Sequence, residues 1–193
     1  DDHLGWLRTI TNELGYTEQF DYDKLGRLIR ISNADGTTSE TAYNAIGKRS
    51  RITDHFGHNT TFEYDAMGRL TRTTFPDNTT EENTYDAEGR VTKTIDRAGR
   101  STLYTHDALG RLVKTTYSDN TFTTTTYDAQ GNVTAATDVN GRTTRYEYNA
   151  AGQNTKVIDA LDHTTTFTYD AAGNRTQLKT ASAEPSNLTL LGP

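Results

Sequence analysis

Apolar and polar residues alternate along this chain in stretches of five or six, and the stretches are separated by short runs of the form Asp/Asn-x-x-Gly. One set of stretches follows Gly-Arg: Leu28 to Ser32, Leu70 to Thr74 and Leu112 to Thr116. A second set leads into Tyr-Asp or His-Asp: Thr60 to Tyr64, Thr102 to His106 and Thr144 to Tyr148. Period-two alternation rich in Thr, Tyr, Val and Ile predicts strands, and the Asp/Asn-x-x-Gly runs predict tight turns between them.

The punctuation is periodic. Gly5, Gly26, Gly47, Gly68, Gly89, Gly110, Gly131, Gly152 and Gly173 are spaced by 21 residues without slippage. Three residues before each stands Asp or Asn, including Asp23, Asp65, Asp86, Asp107, Asp128 and Asp170. Before most of these stands Tyr22, Tyr43, Tyr64, Tyr85, Tyr127, Tyr148 or Tyr169, with His106 as the internal substitute. A period of three heptads raises the coiled coil, but glycine recurs in each unit and no apolar seam accompanies it.

In a β reading each fixed position has a reason. Asp or Asn opens a type I turn by accepting a backbone hydrogen bond from two residues on, and Gly supplies the left-handed residue that closes it with a G1 bulge. A second turn falls midway: Asn12 to Gly15, Asn33 to Gly36, Asp54 to Gly57, Asp96 to Gly99 and Asp138 to Gly141. At Phe75 to Asn78 and Tyr117 to Asn120, Asn is expected to take the left-handed place, while Asp159 to Asp162 departs from the rule. Two turns leave about 13 residues per unit, enough for two strands of ordinary length. The expected fold is all-β: an antiparallel meander of 21-residue repeats, two strands each, forming a curved or spiral open sheet. About eight repeats fill residues 1–180, and residues 181–193 read as a poorly patterned linker or tail.

Composition supports this picture. Only 32% of the 193 residues are hydrophobic, which leaves little for a thick core, yet 11 Tyr and abundant Thr argue against disorder. Aromatic and β-branched neighbours on adjacent strands, more than a deep interior, should hold the sheet. A net charge of −6 gives no field for phosphates, so no nucleic-acid partner is expected. No apolar run is long enough for a membrane span. Absence of Cys excludes disulfides, zinc-thiolate sites and thiol catalysis. The N-terminus lacks a signal-peptide pattern, and the chain reads as part of a larger, bacterial protein.

The unit Tyr-Asp-x-x-Gly-Arg-Leu, clearest at Tyr64 to Leu70 and Tyr22 to Leu28, resembles the YD repeats of the Rhs family, found also in insecticidal toxin-complex proteins and teneurins. The resemblance runs from Asp1 to about Lys179. It implies a spiral β-sheet that closes as a hollow shell, commonly around a C-terminal toxic polypeptide, in a secreted or cell-surface bacterial protein. The chain is shorter than a full shell and carries neither the Pro-x-x-x-x-Asp-Pro-x-Gly-Leu element nor a variable toxin domain. It therefore resembles a wall segment, whose partners are the remaining repeats and the enclosed polypeptide. Cut out, such a segment would self-associate through its strand edges.

The chemistry-bearing residues offer no catalytic set. His55 and His58 share a turn and point differently; the aspartate column gives one carboxylate per turn, short of the several oxygens of a calcium loop. Glu63, Glu81, Glu82, Glu88 and Glu147 occupy no repeated position with a plausible partner, and a Gly-x-Ser-x-Gly elbow and a phosphate loop are missing, so neither cofactor nor metal is expected and the chain is read as non-catalytic. The structural turn residues are Asp23 and Gly26, Asp65 and Gly68, Asp86 and Gly89, Asp107 and Gly110, Asp128 and Gly131, and Asp170 and Gly173. Tyr64, Tyr85, Tyr127, Tyr148 and Tyr169 form a lattice able to stack on sugar rings, which leaves open a second reading as a carbohydrate- or protein-binding module at the cell surface.

Overall fold

The computed structural model of the chain describes residues 5–181, all of them in strands, corners and connecting residues. The Asp2 corner and most of the predicted tail lie outside the described residues. Two compact units divide the chain, the first ending at Ser101 and the second starting at Thr102.

In the first unit the strands are β1 (Thr9–Thr11), β2 (Thr17–Tyr22), β3 (Leu28–Ser32), β4 (Thr38–Tyr43), β5 (Arg49–Thr53), β6 (Asn59–Tyr64), β7 (Leu70–Thr74), β8 (Thr80–Tyr85) and β9 (Val91–Ile95). Each pairs antiparallel with the next. The second unit repeats the scheme from the second residue of β10 (Ser101–His106) onward, with β11 (Leu112–Thr116), β12 (Phe122–Tyr127), β13 (Val133–Thr137), β14 (Thr143–Tyr148), β15 (Asn154–Ile158), β16 (Thr164–Tyr169) and β17 (Arg175–Ala181). Here too each strand pairs antiparallel with its successor. The fold is an all-β meander. Strands leading into Tyr-Asp begin one residue earlier than the alternation suggests, at Asn59, Ser101 and Thr143.

Every corner has one geometry. In the Asp65 corner the Gly68 amide donates to the Asp65 carbonyl at 2.9 Å, and the Asp65 amide donates to the Arg69 carbonyl at 3.0 Å. Asn78 and Asn120 hold the left-handed position with φ of 64° and 67°. The Asp159 corner, expected to depart, keeps the pattern: Asp162 has φ of 62° and its amide donates to the Asp159 carbonyl at 3.1 Å. Asp, like Asn, tolerates this conformation because its short polar side chain bonds locally.

Beyond the G1 bulge expected at the glycine, each Tyr-Asp hairpin has a register shift further along the strand. Tyr22 pairs with Leu28 but Asp21 with Arg30, so Ile29 is unopposed; Tyr64, Leu70, Glu63 and Arg72 repeat this around Thr71. The midway hairpins show no shift. Such bulges bend a strand and increase its twist.

There is no conventional core. Among the described residues no hydrophobic side chain is buried, and the one buried residue is Thr73, at 8% exposure. Stability therefore rests on cross-strand pairs and on the corners.

Candidate functional site

Three structures recur along each unit and position all the predicted site residues: the corner, a strap across it, and two unlike sheet faces.

The corner aspartate does more than open a turn. Asp65 Oδ1 accepts hydrogen bonds from the Met67 and Arg69 amides, each at 2.9 Å, and Oδ2 accepts one from Arg69 Nε at 2.6 Å. Asp23 and Asp107 are built identically with Arg27 and Arg111. Asp86 pairs with Arg90, whereas Asp128 and Asp170 receive the shorter side chains of Asn132 and Asn174. The backbone and guanidinium donors of Arg69 hold the Asp65 carboxyl below the ordinary aspartate value. Gly26, Gly68, Gly89, Gly110, Gly131 and Gly173 close these corners with φ between 76° and 94°.

The arginine after the glycine also reaches forward into the next repeat. Arg69 stands over the Tyr85 ring at 4.7 Å and donates from Nη1 to the Asp86 carbonyl at 3.0 Å. Arg111 does the same with Tyr127, at 4.5 Å, and the Asp128 carbonyl; Arg27 covers Tyr43 at 4.3 Å. The tyrosine beneath is anchored at its far end: Tyr85 donates to the Leu70 carbonyl at 2.8 Å, Tyr127 to Leu112 at 3.0 Å, and Tyr64 and Tyr169 to Arg49 and Asn154. The guanidinium thus joins a carboxylate, a ring face and a carbonyl in adjoining repeats. The motif places Arg after the glycine without revealing this contact, because the ring partner lies sixteen residues on.

Replacing Arg69 by Gln, a residue this column already accepts at Gln153, removes the ion pair and the stack together. Thermal melts followed by circular dichroism should show a lower midpoint. The gap from the parent should narrow in 1 M salt, which screens the ionic share.

The two faces differ in chemistry. On one, Phe20 pairs with Ile31, Thr41 with Ile52 and Phe62 with Thr73; in the second unit Tyr104 pairs with Thr115, Tyr146 with Val157 and Phe167 with Leu178. The opposite face carries the charges. Asp21, Arg30 and Glu40 follow one another across β2 to β4, and Glu63, Arg72 and Glu82 across β6 to β8. Lys156 meets Glu147 at 3.1 Å.

His58 Nδ1 lies 3.0 Å from Asp54 Oδ2, and the Phe56 ring stands between the two histidines, 3.8 Å from His55 and 5.9 Å from His58. Among the described residues no three His, Cys, Asp or Glu gather closely enough to hold a metal ion. No described helix is long and apolar enough to cross a membrane.

A meander of bulged hairpins with strapped corners defines a β-repeat protein. The RHS Repeat family matches residues 2–38, 43–80, 85–121, 127–161 and 154–184, and the chain belongs to that family. The first four matches advance by about two 21-residue units, and the fifth overlaps the fourth. The fold resembles that of the TcdB2-TccC3 crystal structure containing TEV (TM-score 0.65, 16% identity, 94% of this chain and 11% of that one). It also resembles TcdB2-TccC3 without its hypervariable C-terminal region (0.58, 20%, 84% and 10%). A third likeness is the Tc holotoxin pore of Photorhabdus luminescens carrying TccC3-D651A (0.51, 21%, 87% and 9%). The chain spans about a tenth of the length of these chains. Comparison with curated proteins gives no match.

Proposed function

We propose that this chain is a wall segment of an Rhs-type shell that encloses a toxin or another polypeptide and performs no catalysis itself. The observation that carries the reading is the corner lattice repeated through both units, with half-exposed faces and, among the described residues, no buried hydrophobic side chain. A sheet that encloses a compartment must leave both faces open, one to the contents and one outward, and cannot spend either on a core. Its partners are the remaining repeats, which would extend the strand ladder, and the enclosed polypeptide. The setting is a larger bacterial protein, secreted or displayed at the cell surface. Glycan recognition has no comparable support, since Arg69 and Arg111 already cover one face of Tyr85 and Tyr127.

Limited proteolysis of the full-length protein tests the proposal. With the lattice intact, the enclosed polypeptide should survive protease concentrations that digest it once corners are broken by Gly68→Val with Gly110→Val. Equal digestion in both proteins would sink the shell reading.

A further inference from the structure

The strap lattice has a gap, and the gap has the shape of its missing part. Where Arg27, Arg69 and Arg111 stand in their repeats, the equivalent residue of the Asp128 corner is Asn132. Asn132 Nδ2 donates to Asp128 Oδ2 at 2.9 Å but is too short to reach the next tyrosine. No cation stands over Tyr148 among the described residues, and its hydroxyl makes none of the carbonyl bonds that Tyr85 and Tyr127 make. An open cavity of about 490 Å³ occupies this place, lined by Asp128, Asn132, Tyr146, Glu147, Tyr148 and Gly152 among others.

We infer that the Asn132 gap is a binding site for a guanidinium group supplied by another polypeptide as an arginine side chain. The protein itself shows what this geometry takes. One repeat earlier, Arg111 sits with its guanidinium on Asp107 Oδ2, over the Tyr127 ring and against the Asp128 carbonyl. Shifted by one repeat, those three partners are Asp128 Oδ2, the Tyr148 ring and the Asn149 carbonyl, and all three residues border the cavity. Asp128 there lacks the cation that Asp23, Asp65, Asp86 and Asp107 possess, so the corner keeps an uncompensated carboxylate beside an uncovered ring. A planar guanidinium satisfies both at once, stacking its face on the ring and donating from its edge to the carboxylate. Glu147, on the rim, is paired with Lys156 at 3.1 Å and so does not compete with Asp128 for the guanidinium. Gln153, which follows in the same column, fills its own place by donating to the Gly173 carbonyl at 3.3 Å. The site is independent of the shell reading.

Titration of the whole chain with N-acetyl-arginine amide, followed by NMR of ring-labelled tyrosine, tests the assignment. The Tyr148 ring signals should shift saturably, while those of Tyr127, already covered, stay in place. N-acetyl-citrulline amide, equal in shape but neutral, should bind at least tenfold more weakly. Asn132→Arg should abolish the shift, because the protein's own guanidinium then fills the gap, and should raise the thermal midpoint. Tyr148→Ala, which removes the reporting ring and is therefore followed by isothermal titration calorimetry, should show no heat of binding where the parent does; if that variant folds poorly, Asn132→Arg alone decides. Equal binding of citrulline, a persistent response in Asn132→Arg, or a Tyr148 shift with methyl β-glucoside as large as with the arginine compound would overturn the proposal.

Discussion

Gly26→Ala should destabilise the first unit clearly more than Gly36→Ala, although both glycines close corners with nearly the same backbone. Their φ values are 76° and 84°, within the left-handed region, where an added Cβ crowds the carbonyl oxygen and costs about 1–2 kcal/mol. That cost is common to both variants. The surroundings differ. A Cβ on Gly36 meets nothing within 4 Å, whereas a Cβ on Gly26 would lie 2.7 Å from Cζ2 of Trp6. The indole must move, and it now packs 5.6 Å from the Tyr22 ring, so the displacement also weakens an aromatic contact. Trp6 is the only tryptophan, which makes its fluorescence a direct reporter. Chemical denaturation should show both variants losing stability, Gly26→Ala by the larger amount, with the native emission altered only in Gly26→Ala. Equal losses with unchanged emission would mean that the corner does not hold Trp6 against it.

Such corners were the most legible part of the chain. A turn that needs Asp at one end and a left-handed residue at the other leaves a signature of fixed spacing, and the strands follow as whatever lies between. Asn78 and Asn120 are readable for the same reason, whereas Asp162 replaces the Gly-or-Asn signature with a carboxylate that bonds locally in the same conformation. The faces were hidden by the bulges. Counted from Gly26, Leu28 and Ile29 should point oppositely and Arg30 should join Leu28; the register shift around Ile29 breaks that parity in each Tyr-Asp hairpin. The pairing sets Phe20 with Ile31 and Phe62 with Thr73 on one side and Asp21 with Arg30 and Glu63 with Arg72 on the other. Nothing in the spacing distinguishes a bulged strand from a regular one, because the repeat length is the same. The straps were unreadable for a further reason: Arg69 touches Asp65 nearby but Tyr85 only after the chain has folded back. The Asn132 gap becomes visible only against the straps that fill its neighbours.

Acid should unfold this protein through its corners, and the loss should be steep because the corners are many. Twelve aspartates, among them Asp23, Asp65, Asp107, Asp128 and Asp170, have carboxyls held below the ordinary value of 3.8. At Asp23 the leading cause is the side-chain bond from Arg27; at Asp65 it is the backbone amide of Arg69. A carboxylate with a depressed folded pKa stabilises the fold fully above its unfolded pKa, and that contribution disappears as pH falls through the folded value. Stability should thus hold from neutral pH down to the region of pH 4 and then drop with a slope reflecting several protons taken up together. Asp65→Asn separates charge from turn geometry, because Asn44 already performs the turn bonds with Oδ1, accepting from the Ile46 and Lys48 amides at 3.1 and 2.9 Å. The variant should be less stable than the parent at pH 7, where the Arg69 pair is lost, and nearly equal to it at pH 2, where the parent's carboxyl is protonated too. Combining Asp23→Asn, Asp65→Asn and Asp107→Asn, two repeats apart from one another, should flatten the acid limb in near-additive steps. Urea midpoints measured across pH 2 to 7 decide the matter: an acid limb unchanged by all three substitutions would place the source of acid sensitivity outside the corners.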